Sequence, residues 1–213
     1  MPSVSDSRRD RWRHSDAAWL AVAMLLALAL RWPLLRGPGF WPDLAQFATW
    51  SWMSIEEGLA KPYEFRPAAA SPARWANYPP LYLLVLNGWG RLFPLVTGIP
   101  LDRDLILALN REQRTEAALD AVRFFKLPAV ASDLLTMLLL WRCLRRRMSQ
   151  ADAIGGATWP RPGWPVLVAA LYGLNPAVLY DSAVWGQVDS LHTLLMLLSL
   201  DAAARRRTAP MSF

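Results

Sequence analysis

The chain has 213 residues, 54% of them hydrophobic and 19% charged. This length allows one or two domains, and the low charge with abundant Leu, Ala and Trp excludes a disordered chain. A single cysteine excludes an internal disulfide framework and a cysteine-based zinc or iron–sulfur site. A net charge of +6 first suggests nucleic acid. The distribution argues otherwise, because the arginines border apolar blocks: Arg8, Arg9, Arg11 and Arg13, then Arg142, Arg145, Arg146 and Arg147, then Arg205, Arg206 and Arg207. That is the anchoring pattern of the cytoplasmic side of a membrane protein, and no nucleic-acid partner is expected.

Residues 1–16 are polar and basic and read as a cytoplasmic tail. Ala17 to Leu30 is an unbroken apolar run, extended by Arg31 to Leu35. At about 1.5 Å per residue, 17–35 nearly spans a hydrocarbon core of about 30 Å. Arg31 is expected to snorkel near the far end, with Trp19 and Trp32 at the two interfaces. No small-residue cleavage pattern follows, so the segment reads as a retained anchor rather than a signal peptide. Residues 36–79 are rich in Pro, Gly and Trp and form an outside loop. Within it Asp43–Leu59 is expected to be helical, and Trp41, Phe47, Trp50 and Trp52 suit that helix to the membrane surface.

Pro80 to Gly98 is apolar but holds Asn87, Gly88, Gly90, Arg91 and Pro94, so crossing, interfacial and re-entrant readings all fit. Leu101–Leu109 and Arg114–Val122 are weakly helical. Phe124 to Trp141 is the next span and contains Lys126, Pro128 and Asp133. A basic loop over 142–162 leads to a span over Trp164–Tyr180, interrupted at Asn175-Pro176. Asp181–Asp189 reads as a short polar turn, and Leu191–Ala204 as a returning span. If 80–98 does not cross, all three arginine clusters fall on one side, which the orientation signal of short loops favours. The expected fold is therefore all-α and polytopic, with about four transmembrane helices and both ends cytoplasmic. A transmembrane domain over 17–204 holds a long outside loop, 36–123, carrying interfacial helices. The last stretch, 205–213, is a cytoplasmic end that reads as an abrupt stop.

Several residues could carry chemistry. Asp43, in Trp41-Pro42-Asp43-Leu44, is a carboxylate among tryptophans, suited either to general-base work on a hydroxyl or to capping the helix that follows. Asn77-Tyr78-Pro79-Pro80-Leu81-Tyr82 is a rigid entry into an apolar helix. Asp133, with Lys126 seven residues earlier on the same face, marks either a polar pocket or a helix–helix hydrogen bond. Pro128 frees a carbonyl one turn earlier, which needs another donor. Trp185-Gly186-Gln187-Val188-Asp189-Ser190 offers an indole N–H, an amide and a carboxylate, a set able to bind sugar hydroxyls or a phosphate. His192 follows Asp189 by one turn on the same face. No Gly-rich phosphate loop and no metal-ligand spacing is present, so no metal site and no cofactor is expected.

The ordered set Asp43…Phe47-x-x-Trp50, Gly58…Tyr63 and Tyr78-Pro79-Pro80-Leu81-Tyr82 resembles the first outside loop of GT-C membrane glycosyltransferases. Lys126-Leu127-Pro128-Ala129…Asp133 and Asn175-Pro176-Ala177-Val178…Trp185-Gly186-Gln187-Val188-Asp189-Ser190 continue the resemblance. It is closest to bacterial relatives of the mannosyltransferases of GPI-anchor synthesis, and more distant to the dolichyl-phosphate-glucose transferases. The resemblance implies transfer of a hexose, mannose or glucose, from a polyprenyl-phosphate sugar to a glycan, lipid or protein acceptor. The reaction would lie on the outer face of a bacterial cytoplasmic membrane, with membrane lipid as surroundings. Asp43 would be the base, Tyr78, Trp185, Gln187 and Asp189 would line the cavity, and Lys126, Asp133 and His192 would support it. Full members have more crossings than are counted here, so the chain reads as an N-terminal fragment whose partner is the missing C-terminal half. The rival expectation is a non-enzymatic membrane subunit or transporter fragment, with Lys126, Asp133 and Asp189 as a polar pathway, or an inactive truncated protein.

Overall fold

The computed structural model describes residues 4–64, 75–153 and 163–208, with side chains over 15–64, 75–150 and 163–205. All regular structure among the described residues is helical. In order it comprises α1 (Val4–Leu35), α2 (Trp41–Glu56), a single 3₁₀ turn (Lys61–Tyr63), α3 (Pro80–Thr97), α4 (Arg103–Asn110) and α5 (Glu116–Ala153). Then come α6 (Trp164–Gly173), α7 (Pro176–Leu179) running into a π-helical stretch (Tyr180–Trp185), and α8 (Asp189–Thr208). Two stretches, Ser15–Leu35 and Glu116–Gln150, are long and apolar enough to cross a membrane. Trp164–Gly173 and Pro176–Trp185, bent by 47°, make a third if taken as one span. α8 carries Asp189, Asp201 and Arg205 and is not among them. α1 displays Trp19, Leu25 and Trp32, each more than half exposed, as suits a helix with a lipid-facing side.

The chain divides into two compact units. The first comprises the segments up to Leu34, Pro128–Ser182, and from Val188 onward. Its core sets Leu20, Ala23 and Ala27 of α1 against Met137 of α5 and Ala169 of α6. Small residues let helix backbones approach closely where lipid offers no hydrophobic drive. Arg31 does not snorkel: it has no exposure, and its Nη2 donates to Asp133 Oδ2 at 2.8 Å. Its Nη1 donates to the carbonyls of Ala27 at 3.1 Å and Gly173 at 2.9 Å, and Tyr172 donates to the other Asp133 oxygen at 2.9 Å. The Gly173 carbonyl needs that donor. Asn175 Oδ1 takes the Ala177 N–H to cap α7, so the helix cannot continue through Asn175-Pro176. Asp133 thus serves as the helix–helix partner of a buried cation.

The second unit comprises Leu35–Leu127 and Ala183–Gln187. α2 packs on α3 and α4. Ser51 Oγ donates to the Leu86 carbonyl at 2.7 Å, and Trp41 Nε1 donates to the Leu109 carbonyl at 2.7 Å. Of the four aromatics expected at a membrane surface, Trp41, Phe47 and Trp50 are buried within the unit, where α3 and α4 supply the apolar surface, and Trp52 is half-buried. The carbonyl freed by Pro128 is that of Phe124, and Trp89 Nε1 donates to it at 3.0 Å, with the Trp89 and Phe124 rings stacked at 4.9 Å.

Three expected boundaries shift. The weak helix over 114–122 is the start of α5, capped by Thr115 Oγ1 at the Ala118 N–H. The basic loop from Arg142 is still α5 as far as Ala153, since arginine is a good helix former and Arg145 stacks over Trp141 at 4.5 Å. The polar turn over 181–189 is instead π-helix to Trp185, followed by a short turn at Gly186. The side chains of Arg8, Arg9, Arg11, Arg13, Arg206 and Arg207, and all of 154–162 and 209–213, lie outside the described residues.

The buried pair is testable. Asp133→Ala strands a buried guanidinium and is expected to lower unfolding stability in detergent by about 3–5 kcal/mol. The double variant Arg31→Met/Asp133→Leu should lose clearly less. Equal losses in the two would mean that the charge pairing is not what holds these helices.

Candidate functional site

Four of the residues singled out from the sequence converge in the second unit. α2 begins at Trp41 with Phe40 as N-cap residue, so Asp43 lies in the first turn and does not cap the helix. A carboxylate there is favoured by the helix dipole. The capping alternative for Asp43 is therefore overturned, and its side chain has other partners. Trp185 Nε1 donates to Asp43 Oδ2 at 3.1 Å, and Gln187 Nε2 donates to the same oxygen. Oδ1 takes no hydrogen bond among the described residues.

The Gln187 amide is oriented from both ends. Its Oε1 accepts from the Tyr78 hydroxyl at 3.1 Å, while its Nε2 faces Asp43. Tyr78 is set in turn by Tyr63, whose hydroxyl donates to the Tyr78 carbonyl at 2.6 Å. Its ring lies 5.8 Å from Phe47, 5.9 Å from Trp50 and 5.1 Å from Tyr82. Such tilted and edge-on ring contacts fix ring planes as well as burying area. Tyr82 is buried beside this group. Burial, together with Tyr78 and Asp43 nearby, pushes its phenol well above the ordinary tyrosine range, so it stays neutral. The segment carrying Trp185 is tied to the entry of α2: the Phe40 N–H donates to the Trp185 carbonyl at 3.0 Å, and their rings lie 5.1 Å apart.

Lys126 has a structural part in the same unit. It has no exposure, and its Nζ donates to the carbonyls of Gly37 at 2.8 Å and Ala183 at 3.2 Å. One ammonium thus joins the stretch leading into α2 to the stretch leading to Trp185. The fit depends on two glycines in the left-handed region, Gly39 at φ +67° and Gly186 at φ +91°. A Cβ on Gly39 would stand 2.6 Å from both Leu44 Cδ1 and Lys126 Cε, and one on Gly186 would stand 2.8 Å from Leu44 Cδ2. Lys126 does not share a partner with Asp133, despite the helical spacing between them.

Asp133, Asp189 and His192 belong to the first unit. Asp133 is engaged by Arg31 and Tyr172, Asp189 is exposed at the start of α8, and His192 is half-buried one turn later. Phe40, Phe47 and Tyr82 were not assigned to the site from sequence. Their signal was present only as aromatic density around Asp43 and the Tyr-Pro-Pro stretch. Among the described residues no group of three or more His, Cys, Asp or Glu is arranged to hold a metal ion.

Chemically, the arrangement presents a half-buried carboxylate with one oxygen clamped by two N–H donors and the other free to accept a proton. Indole, amide and phenol groups surround it, the indole N–H being already given to Asp43. Comparison with protein-family models, curated proteins and solved structures gives no match.

Gly186→Ala adds a Cβ in the left-handed region and drives it against Leu44. It is expected to lower the unfolding free energy by at least about 1–2 kcal/mol, measured by denaturant unfolding in detergent. Unchanged stability would show that the Leu44–Lys126 enclosure is loose.

Proposed function

We propose that this chain is part of a membrane glycosyltransferase of the GT-C kind. It would transfer a hexose, mannose or glucose, from a polyprenyl-phosphate donor to a hydroxyl of a glycan, lipid or protein acceptor. In this reading α1, α5, the bent pair and α8 make the four crossings, and residues 36–123 stand on the outer face of a bacterial cytoplasmic membrane, with both ends inside. The observation that carries the reading is the division of labour at Asp43: Trp185 and Gln187 hold Oδ2, and Oδ1 is left for a substrate proton.

The step follows from that division. Asp43 Oδ1 accepts the proton of the acceptor hydroxyl as the hydroxyl oxygen attacks the anomeric carbon. The bond from that carbon to the lipid phosphate oxygen breaks in line, and the phosphate leaves with the bonding pair. One displacement inverts the anomeric configuration. Polyprenyl phosphate is a good leaving group, so the step need not have a metal, and the lipid-linked sugar is substrate rather than cofactor. Tyr78, Trp185 and Gln187 orient the base, and Tyr78 and Gln187 also offer hydroxyl contacts. The rival polar pathway gains nothing from Asp133, whose two oxygens are already engaged by Arg31 and Tyr172.

Asp43→Asn is the sharp test. Its amide oxygen can still accept from Trp185 and Gln187, so membrane insertion and stability should be unchanged. Transfer from polyprenyl-phosphate mannose or glucose should fall by about 10²–10⁴-fold. The assay uses membranes containing the chain, alone and together with the product of the adjacent downstream reading frame. Full turnover by the variant would remove Asp43 as the base.

A further inference from the structure

The first unit contains a groove that the proposed transfer reaction does not use. It lies between the C-terminal parts of α5 and α8 and encloses about 560 Å³. Leu139 and Leu140 line it on α5, and Leu197 and Leu200 on α8. Further along, α5 contributes Arg146 and Arg147, and α8 contributes Asp201 and Arg205. Residues 139/140 and 146/147 are two helical turns apart, a rise of about 10 Å. In both helices the leucines precede the charged residues, so one end of the groove is apolar and the other polar.

The polar end carries excess positive charge. Among the described lining residues Asp201 is the one carboxylate, bonded to Arg205 and 3.8 Å from Arg146 Nη1. Arg147 has no ion pair with it, and Arg146 and Arg147 are exposed. The part of α5 that is long and apolar enough to cross a membrane lies within Glu116–Gln150, and Arg146 and Arg147 fall near the end of that stretch, after Leu139 and Leu140. An amphiphile with an anionic head matches this sequence of environments, whereas a soluble anion leaves the leucine half uncovered.

We propose that this groove seats one acidic glycerophospholipid, its phosphate on Arg146 and Arg147 and the start of an acyl chain along Leu139, Leu140, Leu197 and Leu200. Anionic lipid then links α5 to α8 as a structural ligand. This site is independent of Asp43 and of the proposed transfer reaction.

The protein carries its own reporter. Cys143, the only cysteine in the chain, lines the groove between the leucines and the arginines and is half-buried. The full chain is placed in nanodiscs of phosphatidylcholine, with or without phosphatidylglycerol, at fixed pH and salt. Alkylation of Cys143 by the uncharged reagent N-ethylmaleimide is then timed. Phosphatidylglycerol should slow it several-fold. Arg146→Gln/Arg147→Gln should abolish the difference in rate between the two lipids, and Arg146→Lys/Arg147→Lys should keep part of it. An anionic surface also lowers the local pH and slows any thiolate, but that effect would persist in the Gln variant. Equal slowing in parent and Gln variant therefore overturns the proposal. So does equal protection by soluble glycerol phosphate, which would show that a free anion suffices. Protection in phosphatidylcholine that rises with protein density would show a second copy covering the groove, and would likewise overturn it. Should the Gln variant lose its helical circular dichroism, native mass spectrometry of the parent decides: retention of phosphatidylglycerol over phosphatidylcholine supports the proposal, and equal retention overturns it.

Discussion

The first unit depends on one buried guanidinium. Arg31 meets a carboxylate on α5 and two backbone carbonyls, one on its own helix and one where α6 stops. A break at Asn175-Pro176 inside an apolar segment leaves carbonyls without helical donors, and hydrocarbon cannot supply them. Arg31 fills that gap, and Asp133 then balances its charge. Removing either group would leave a cost greater than the pair itself contributes, because the remaining charge would stay buried alone. Irregular backbone at this depth is tolerated because a side chain from another helix completes it.

The second unit repeats the logic with different atoms. Pro128 withdraws a donor from the Phe124 carbonyl, and the Trp89 indole replaces it. Lys126 donates hydrogen bonds to carbonyls of two stretches, the turn before α2 and the π-helical stretch that ends at Trp185. Those stretches deliver the two sides of the Asp43 cluster. A buried cation satisfied only by backbone dipoles is costly to desolvate, so its placement makes sense where it orders something else. Here it orders the approach of Trp185 and Gln187 to Asp43. The left-handed turns at Gly39 and Gly186 follow from the same crowding, since the Lys126 stem and Leu44 occupy the space that a Cβ would need.

The proposed function rests on asymmetry within a single carboxylate. Trp185 and Gln187 hold Asp43 through Oδ2, and the Tyr78–Gln187 contact fixes which way the amide faces. The aromatic group around Tyr78 supplies rigidity at low conformational cost, since each ring has few torsions to lose. Acidic lipid on the arginines of α5 and α8 would add a further tie within the first unit, made by the surroundings rather than by the chain.

Much of this was legible in the sequence, for local reasons. The apolar runs at 17–35 and 124–141, the break at Asn175-Pro176 and the orphan carbonyl created by Pro128 follow from neighbouring residues, whereas the grouping of Asp43, Tyr78, Trp185 and Gln187 came from the family resemblance. Helix ends were less legible: α5 absorbs both a weak helix and a basic loop, because capping and stacking contacts outweigh the charge pattern. An all-helical, membrane-suited chain with polar residues near Asp43 is readable from local pattern alone. Partnership emerges only when distant segments pack. Arg31 and Asp133 are 102 residues apart, and Asp43 and Gln187 are 144 apart. Helical periodicity relates residues within a few turns, so it could pair Lys126 with Asp133 but not assign each its true acceptor. That assignment depends on which carbonyls the breaks leave unsatisfied once distant segments have packed.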